Sequence, residues 1–218
     1  MQDLIKQEQF ELEVLDRLKS GRFLDRLVFG GGTMLRLCFG LDRYSVDLDF
    51  WLLNTGAYQE WFADLQSFLS RFYEIRDAAD KFYPLVVELK SSDYPRSLKL
   101  EMRKDIKIAG TERAIAYSRF SPLQVYVRII PLEDMMTSKI DAFLQRKEIR
   151  DAYDLEFLAK RGVKAAISHE KAARVLTTVD ALTSQDYNVK LSSLIEADQR
   201  AYYRQNNFRI LKDYLSAC

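Results

Sequence analysis

Two short stretches carry residues whose types and spacing suggest chemistry: Gly30-Gly31-Gly32-Thr33, and the paired acids of Asp47-Leu48-Asp49. Glycines let backbone N–H groups approach a phosphate closely. A helix N-terminus in the same place adds partial positive charge. Carboxylates at i and i+2 of a strand point to one face, about 7 Å apart. Such a pair can hold Mg²⁺, which takes oxygen ligands together with substrate phosphates. Two such ions about 4 Å apart stabilise both oxygens of an in-line phosphoryl displacement. Alone, a glycine triplet is a turn and an Asp-x-Asp is a solvated strand face. Their combination points to phosphoryl chemistry. The turn is not a P-loop, because no Gly-Lys-Ser/Thr follows it.

The surrounding pattern says what must position these residues. Leu27-Val28-Phe29 predicts a short strand running into the glycines. Thr33 predicts an N-cap for a helix from Met34 to Phe39, ended by Gly40. Residues 44–53 alternate, with Ser45, Asp47 and Asp49 on one side and Val46, Leu48 and Phe50 on the other, which predicts a strand. Residues 2–20 and 57–77 predict helices, the second with Trp61, Leu65, Phe68, Leu69 and Phe72 as its core stripe. Further strands are expected over 85–89, 97–106 and 125–130. After Pro131 the pattern turns helical, over 132–147, 150–161, 168–182 and 189–215. Strands segregated before helices predict an α+β class. The expected division is a strand-bearing unit over 1–130 and a helical C-terminal region over 131–218.

Composition narrows the function. Thirty-three Lys and Arg against 32 Asp and Glu leave a net charge of +1, which excludes a generally basic coat but not a local basic cleft. One His, His169, and two Cys, Cys38 and Cys218, cannot by themselves make a four-ligand zinc site. His169 reads as a cap or surface residue, since no nucleophile elbow accompanies it. Cys38 reads as core. The N-terminus has no signal-peptide apolar region, and no run of about 18 apolar residues predicts a membrane span. The expectation is a cytoplasmic protein.

Gly31-Gly32-Thr33, Leu35, Arg43, Ser45 and Asp47-Leu48-Asp49-Phe50 resemble the signature of the AbiEii/AbiGii-type nucleotidyltransferase toxins, within the polymerase-β-like nucleotidyltransferase superfamily. Thirteen residues separate Thr33 from Asp47. A second block resembles the same family: Lys139-Ile140-Asp141-Ala142-Phe143-Leu144, then Arg150-Asp151-Ala152-Tyr153-Asp154-Leu155. The last 50 or so residues match no motif.

The resemblance implies a mixed sheet with flanking helices and a C-terminal helical region completing the active site. It implies that Gly31, Gly32 and Thr33 contact a triphosphate, that Arg43 and Ser45 support the metal and phosphate end, and that Asp47 and Asp49 bind Mg²⁺ or Mn²⁺. The third acid would be Glu101, with Glu88 as its rival. Lys139 would reach the nucleotide phosphates, and Asp151, or else Asp154, would position Lys139 or the ribose. Either acid could instead be a plain helix-surface residue.

The implied reaction moves a nucleoside monophosphate from an NTP to an acceptor hydroxyl, with Glu101 able to accept the hydroxyl proton. The implied acceptor is RNA, notably the tRNA 3′ end, and the implied setting is a toxin–antitoxin pair in phage defence by abortive infection, with a cognate antitoxin. A protein or aminoglycoside-like acceptor, and a non-catalytic nucleotide-binding module, are the alternatives. Arg200, Tyr202, Tyr203, Arg204, Arg209, Lys212 and Tyr214 could meet an RNA backbone or simply form an amphipathic helix that buries its tyrosines.

Overall fold

A computed structural model describes residues 2–54, 56–104 and 110–217. The chain divides into two compact units, Met1–Gly40 with Tyr44–Ile130, and Leu41–Arg43 with Pro131–Cys218.

The first unit is built on a mixed sheet of seven strands: β1 (Leu27–Gly30), β2 (Asp47–Leu52), β3 (Glu74–Asp80), β4 (Pro84–Lys90), β5 (Leu98–Arg103), β6 (Glu112–Tyr117) and β7 (Gln124–Ile129). Their order across the sheet is β3-β4-β5-β2-β1-β7-β6. β2 with β5 and β1 with β7 are parallel, and the other neighbours are antiparallel. The helices of this unit are α1 (Gln2–Ser20), α2 (Gly31–Phe39) and α3 (Tyr58–Leu69).

Register explains the core. Ile129, Phe29, Phe50, Met102 and Leu85 stand in one cross-strand row, and all are buried. Full burial of each such side chain contributes roughly 1.5–3 kcal/mol. β1 is buried on both faces. Asp47, Asp49 and Glu101 belong to the opposite face, because strand side chains alternate.

The strand carrying the acids starts at Asp47 rather than at residue 44. The predicted helix over 57–77 ends at Leu69, and residues 74–80 are instead the edge strand β3. Glu74 to Asp80 is mostly exposed, so no apolar alternation marks it. β6, at the other edge, is exposed for the same reason and was not expected. Phe72, assigned to the core stripe, is 38% exposed because α3 stops before it. Ile106 and Cys218 lie outside the described residues.

The second unit contains α4 (Leu132–Arg146), α5 (Ile149–Lys160), α6 (His169–Asp180), α7 (Ala197–Asn206) and α8 (Arg209–Ser216), with a π-helical turn over Asp186–Leu191. The single helix expected over 189–215 is therefore three pieces. Asn207 and Phe208 both have left-handed backbone, φ 42° and 52°, which no continuous helix accommodates. Phe208 is fully buried there, so its packing outweighs the backbone strain. Tyr203 is buried, and the Tyr214 hydroxyl donates to Val163 O and accepts from Ala165 N. Tyr203 and Tyr214 thus serve packing, as the amphipathic reading had it, whereas Tyr202 is 37% exposed.

Candidate active site

In the first unit the glycine turn is a strand-to-helix junction. Gly30 ends β1 and occupies the N-cap position of α2, where it has no side chain to cap with. Gly31, Gly32 and Thr33 are the first three residues of α2, all buried. The expected N-cap role of Thr33 is thus corrected: with Gly30 in the cap, Thr33 sits inside the helix. Its hydroxyl donates to the Asp47 carbonyl oxygen at 2.6 Å, tying the helix start to the start of β2.

Gly31 is the tightest point. Its φ is +74°, a left-handed value that favours glycine. A Cβ there would land on the Asp49 carboxylate and come within 2.8 Å of Asp49 Cβ. The helix N-terminus and the second acid can be this close only because residue 31 has no side chain. Gly30 answers a different need, since a Cβ there would meet the Trp51 ring and Ile130.

Register sets the two candidates for the third acid at different distances from Asp49. Asp49 pairs across the parallel ladder with Glu101, and Asp47 with Lys99. Glu88 pairs with Lys99 on β4, one strand further out, which places it about 10 Å from β2 by strand spacing. Glu101 is the acid adjacent to Asp49. Lys99 Nζ donates to Glu101 at 2.8 Å. That hydrogen bond holds Lys99 above the usual lysine range, and the charges of Glu101, Asp47 and Asp49 add to it. Glu101 thus holds the Lys99 ammonium directly, and Asp47 and Asp49 add to the negative field around it. Among the described residues no group of three His, Cys, Asp or Glu side chains is arranged to hold a metal ion. Ser45, half-exposed, precedes the strand on the segment leading into it.

Sequence reasoning missed the support from α1. Gln7, fully buried, donates from Nε2 to Val46 O at 3.2 Å and to Ser97 O at 3.4 Å. It bridges the entry to β2 and the entry to β5, the two acid-bearing strands. Glu11, one helical turn on, is fully buried, and neither carboxyl oxygen has a hydrogen-bond partner. Burial, then the nearby charge of Glu8, pushes its carboxyl well above the usual range, and Asp47 contributes. Their only sequence signal is polar residues at i and i+4 within an apolar helix face.

The second unit brings Arg43, Lys139, Asp151 and Asp154 together. Arg43 donates to Asp154 through Nε at 2.6 Å and Nη2 at 2.7 Å. Lys139 Nζ lies 2.6 Å from Asp154 Oδ2 and 3.5 Å from Asp151 Oδ1. Asp151 receives a second two-pronged pair from Arg146, at 2.6 and 2.7 Å. Neither acid is a helix-surface residue, since both have zero exposure. Burial alone would raise Asp154, but Arg43 and Lys139 outweigh it and hold its carboxyl below the usual range. Arg43 reaches this cluster because Leu41–Arg43 groups with the helices, and Gln199, which accepts from Tyr153, donates to Asp42. Arg146 was not foreseen, although its i to i+5 spacing to Asp151 across the α4–α5 turn was visible. His169 opens α6 on the surface behind the Ser168 cap. Cys38 is half-buried rather than core, with burial pushing its thiol up to about 12.

The family model for the nucleotidyl transferase AbiEii toxin of type IV toxin–antitoxin systems matches residues 13–213. The chain belongs to that family. No curated protein matches it. Among solved structures, JHP933 from Helicobacter pylori is 22% identical, with a TM-score of 0.58 over 96% of this chain and 94% of that one. A second Helicobacter pylori structure is 22% identical, with a TM-score of 0.57 over 96% of each chain. These likenesses confirm the fold: an α+β nucleotidyltransferase, its mixed sheet flanked by helices. As an AbiEii-family member the chain is a nucleotidyltransferase of the toxin–antitoxin kind. No helix among its described residues is long and apolar enough to cross a membrane.

Proposed function

We propose that this AbiEii-family chain is a metal-dependent enzyme that transfers a nucleoside monophosphate from an NTP to a hydroxyl of RNA, releasing pyrophosphate, with the tRNA 3′ end as the favoured acceptor. It acts in the cytoplasm as a toxin opposed by a cognate antitoxin. One observation carries the reading: register sets Glu101 beside Asp49 on the strand next to Asp47, while Gly31 brings the start of α2 against the same carboxylate.

Carboxylate oxygens on adjacent strands are the donors a hard divalent cation takes, although the three side chains are not gathered round a common point in this arrangement. Asp47, Asp49 and Glu101 would hold Mg²⁺ or Mn²⁺, and the metal would supply charge neutralisation at the transferring phosphate. The backbone N–H groups of Gly31, Gly32 and Thr33 lie at a helix start, where intrahelical partners are lacking, and would donate to the triphosphate oxygens. Ser45 would support that phosphate end. Glu101, released from Lys99, would take the proton of the attacking hydroxyl. In the second unit Lys139 offers a fixed positive charge for a nucleotide phosphate, held by Asp151 and Asp154, and Arg43 locks Asp154 in place. Catalysis of this kind rests on positioning and charge.

The test is incubation with each α-labelled NTP, Mg²⁺ and total RNA. Label is expected in RNA, and Asp47→Asn abolishes it. Label appearing only in protein or a small molecule, or persisting in Asp47→Asn, overturns the reading.

A further inference from the structure

The outer face of the β6–β7 hairpin is unlike the rest of the sheet. Ile115, Tyr117 and Tyr126 are 49%, 57% and 48% exposed, and they are neighbours: Ile115 pairs with Tyr126, Tyr117 with Gln124, and Arg113 with Arg128. The Tyr126 ring has two cations beside it, the Arg113 guanidinium at 5.5 Å and the Lys19 ammonium at 6.0 Å from its centroid. Arg128 donates to Asp25 O at 3.2 Å, so its side chain lies along the same hollow. The acid lining that hollow is Asp25, and its carboxylate is already paired with Arg22 at 3.1 Å. Cross-strand packing alone does not explain the exposure, because β6 is an edge strand whose aromatic partner face is open to solvent.

Register also says where this patch points. Phe29 pairs with both Phe50 and Ile129 on the core face. Arg128 and Tyr126 therefore belong to the face that carries Asp47, Asp49 and Glu101. β7 lies two strands from β2, about 10 Å across the sheet, with buried Val28 between them.

We propose that this hairpin face is a docking surface for a single-stranded segment of RNA, with bases stacking on Tyr126 and Tyr117 and phosphates meeting Arg113, Arg128 and Lys19. Exposed aromatic faces interleaved with cations are what a single strand needs, since every base has a π-face and every linkage a negative charge. The choice of RNA rests on the acceptor proposed above. The surface would hold the acceptor strand on the side of the sheet where the acids stand.

The experiment is fluorescence anisotropy of the full chain with a labelled 12-nucleotide uridine-rich RNA, without NTP, across a salt series. Thermal melts establish that each variant is folded. Tyr117→Ala with Tyr126→Ala is expected to weaken binding roughly tenfold or more. Arg113→Glu is expected to weaken it and flatten the salt dependence. Phe82→Ala, an exposed aromatic on the β3–β4 turn, is expected to change nothing. Unchanged affinity in the hairpin variants overturns the proposal, as does equal loss in Phe82→Ala. So does a concentration-dependent dimer that the hairpin variants abolish while RNA affinity stays intact. The same variants in the label-transfer assay separate the two readings. Hairpin-dependent RNA binding without label transfer sinks the transferase reading alone, and label transfer with hairpin-independent binding sinks the docking surface alone.

Discussion

Gly31→Ala is the sharpest perturbation of this site, because two separable costs meet at one residue and a second glycine isolates one of them. The backbone at residue 31 is left-handed, φ +74°, which costs an L-residue about 1–2 kcal/mol. For a unit of this size that lowers Tm by roughly 5 °C. The added methyl group also collides with Asp49, at Cβ as well as at a carboxylate oxygen, so a rotamer change alone does not relieve it. β2 or the start of α2 must shift. Displacement of a reacting group by about 1 Å costs on the order of 100-fold in rate. Gly40→Ala is the control: its φ is +75°, and nothing lies within 4 Å of a Cβ there. It carries the same backbone strain without the collision. Scanning fluorimetry should therefore show similar destabilisation in both variants, with somewhat more in Gly31→Ala. Label transfer from NTP to RNA should fall about 100-fold in Gly31→Ala and stay near wild type in Gly40→Ala. Equal activity losses would mean that strain, not the approach to Asp49, governs the site. Full activity in Gly31→Ala would refute the requirement for that approach.

Two further outcomes follow from the buried charges. Asp154→Asn leaves Arg43 and Lys139 buried without their shared counter-charge and should destabilise the helical unit by about 3–5 kcal/mol, measured by urea unfolding. Because Asp154 is held below the usual carboxylate range, its stabilisation is complete above about pH 4 and disappears as pH falls below that. The variant should lose this part of the acid transition, and an unchanged acid limb would contradict the assignment. Glu11 has the opposite sign. Its carboxyl is raised, so the native state holds a proton the unfolded state releases, and stability falls as pH rises above about 4.3. Glu11→Met removes the unpartnered oxygens and should stabilise the first unit by about 1–3 kcal/mol at pH 8, with a smaller gain at pH 4. Destabilisation at both pH values would show that Glu11 has a partner in solution.

The sequence made the interior elements legible and the edges illegible, for one physical reason. β1, β2, β4, β5 and β7 each bury at least one face, so alternation or an apolar run marks them. β3 and β6 sit at the sheet margins with mostly exposed side chains, and nothing in Glu74–Asp80 distinguishes a polar strand from the tail of a helix. The break between α7 and α8 was hidden for a related reason. Asn206-Asn207 hints at a stop, but only tertiary burial of Phe208 decides that the chain turns there.

The candidate site shows the same division at finer scale. Alternation in 44–53 puts Asp47 and Asp49 on one face, and alternation in 98–103 puts Lys99 and Glu101 on one face of their own strand. Neither pattern says which residue of one strand stands beside which residue of the other. That information is long-range register. It makes Glu101 the neighbour of Asp49 and leaves Glu88 a strand away. The second cluster follows the same logic. The i to i+3 spacing of Asp151 and Asp154 was readable, but their complete burial was not, because it depends on Arg43 and Arg146 arriving from separate segments to neutralise them. A buried carboxylate is tolerable only with such partners. An acid's burial is thus a property of its partners, and sequence spacing shows only where an acid could be buried.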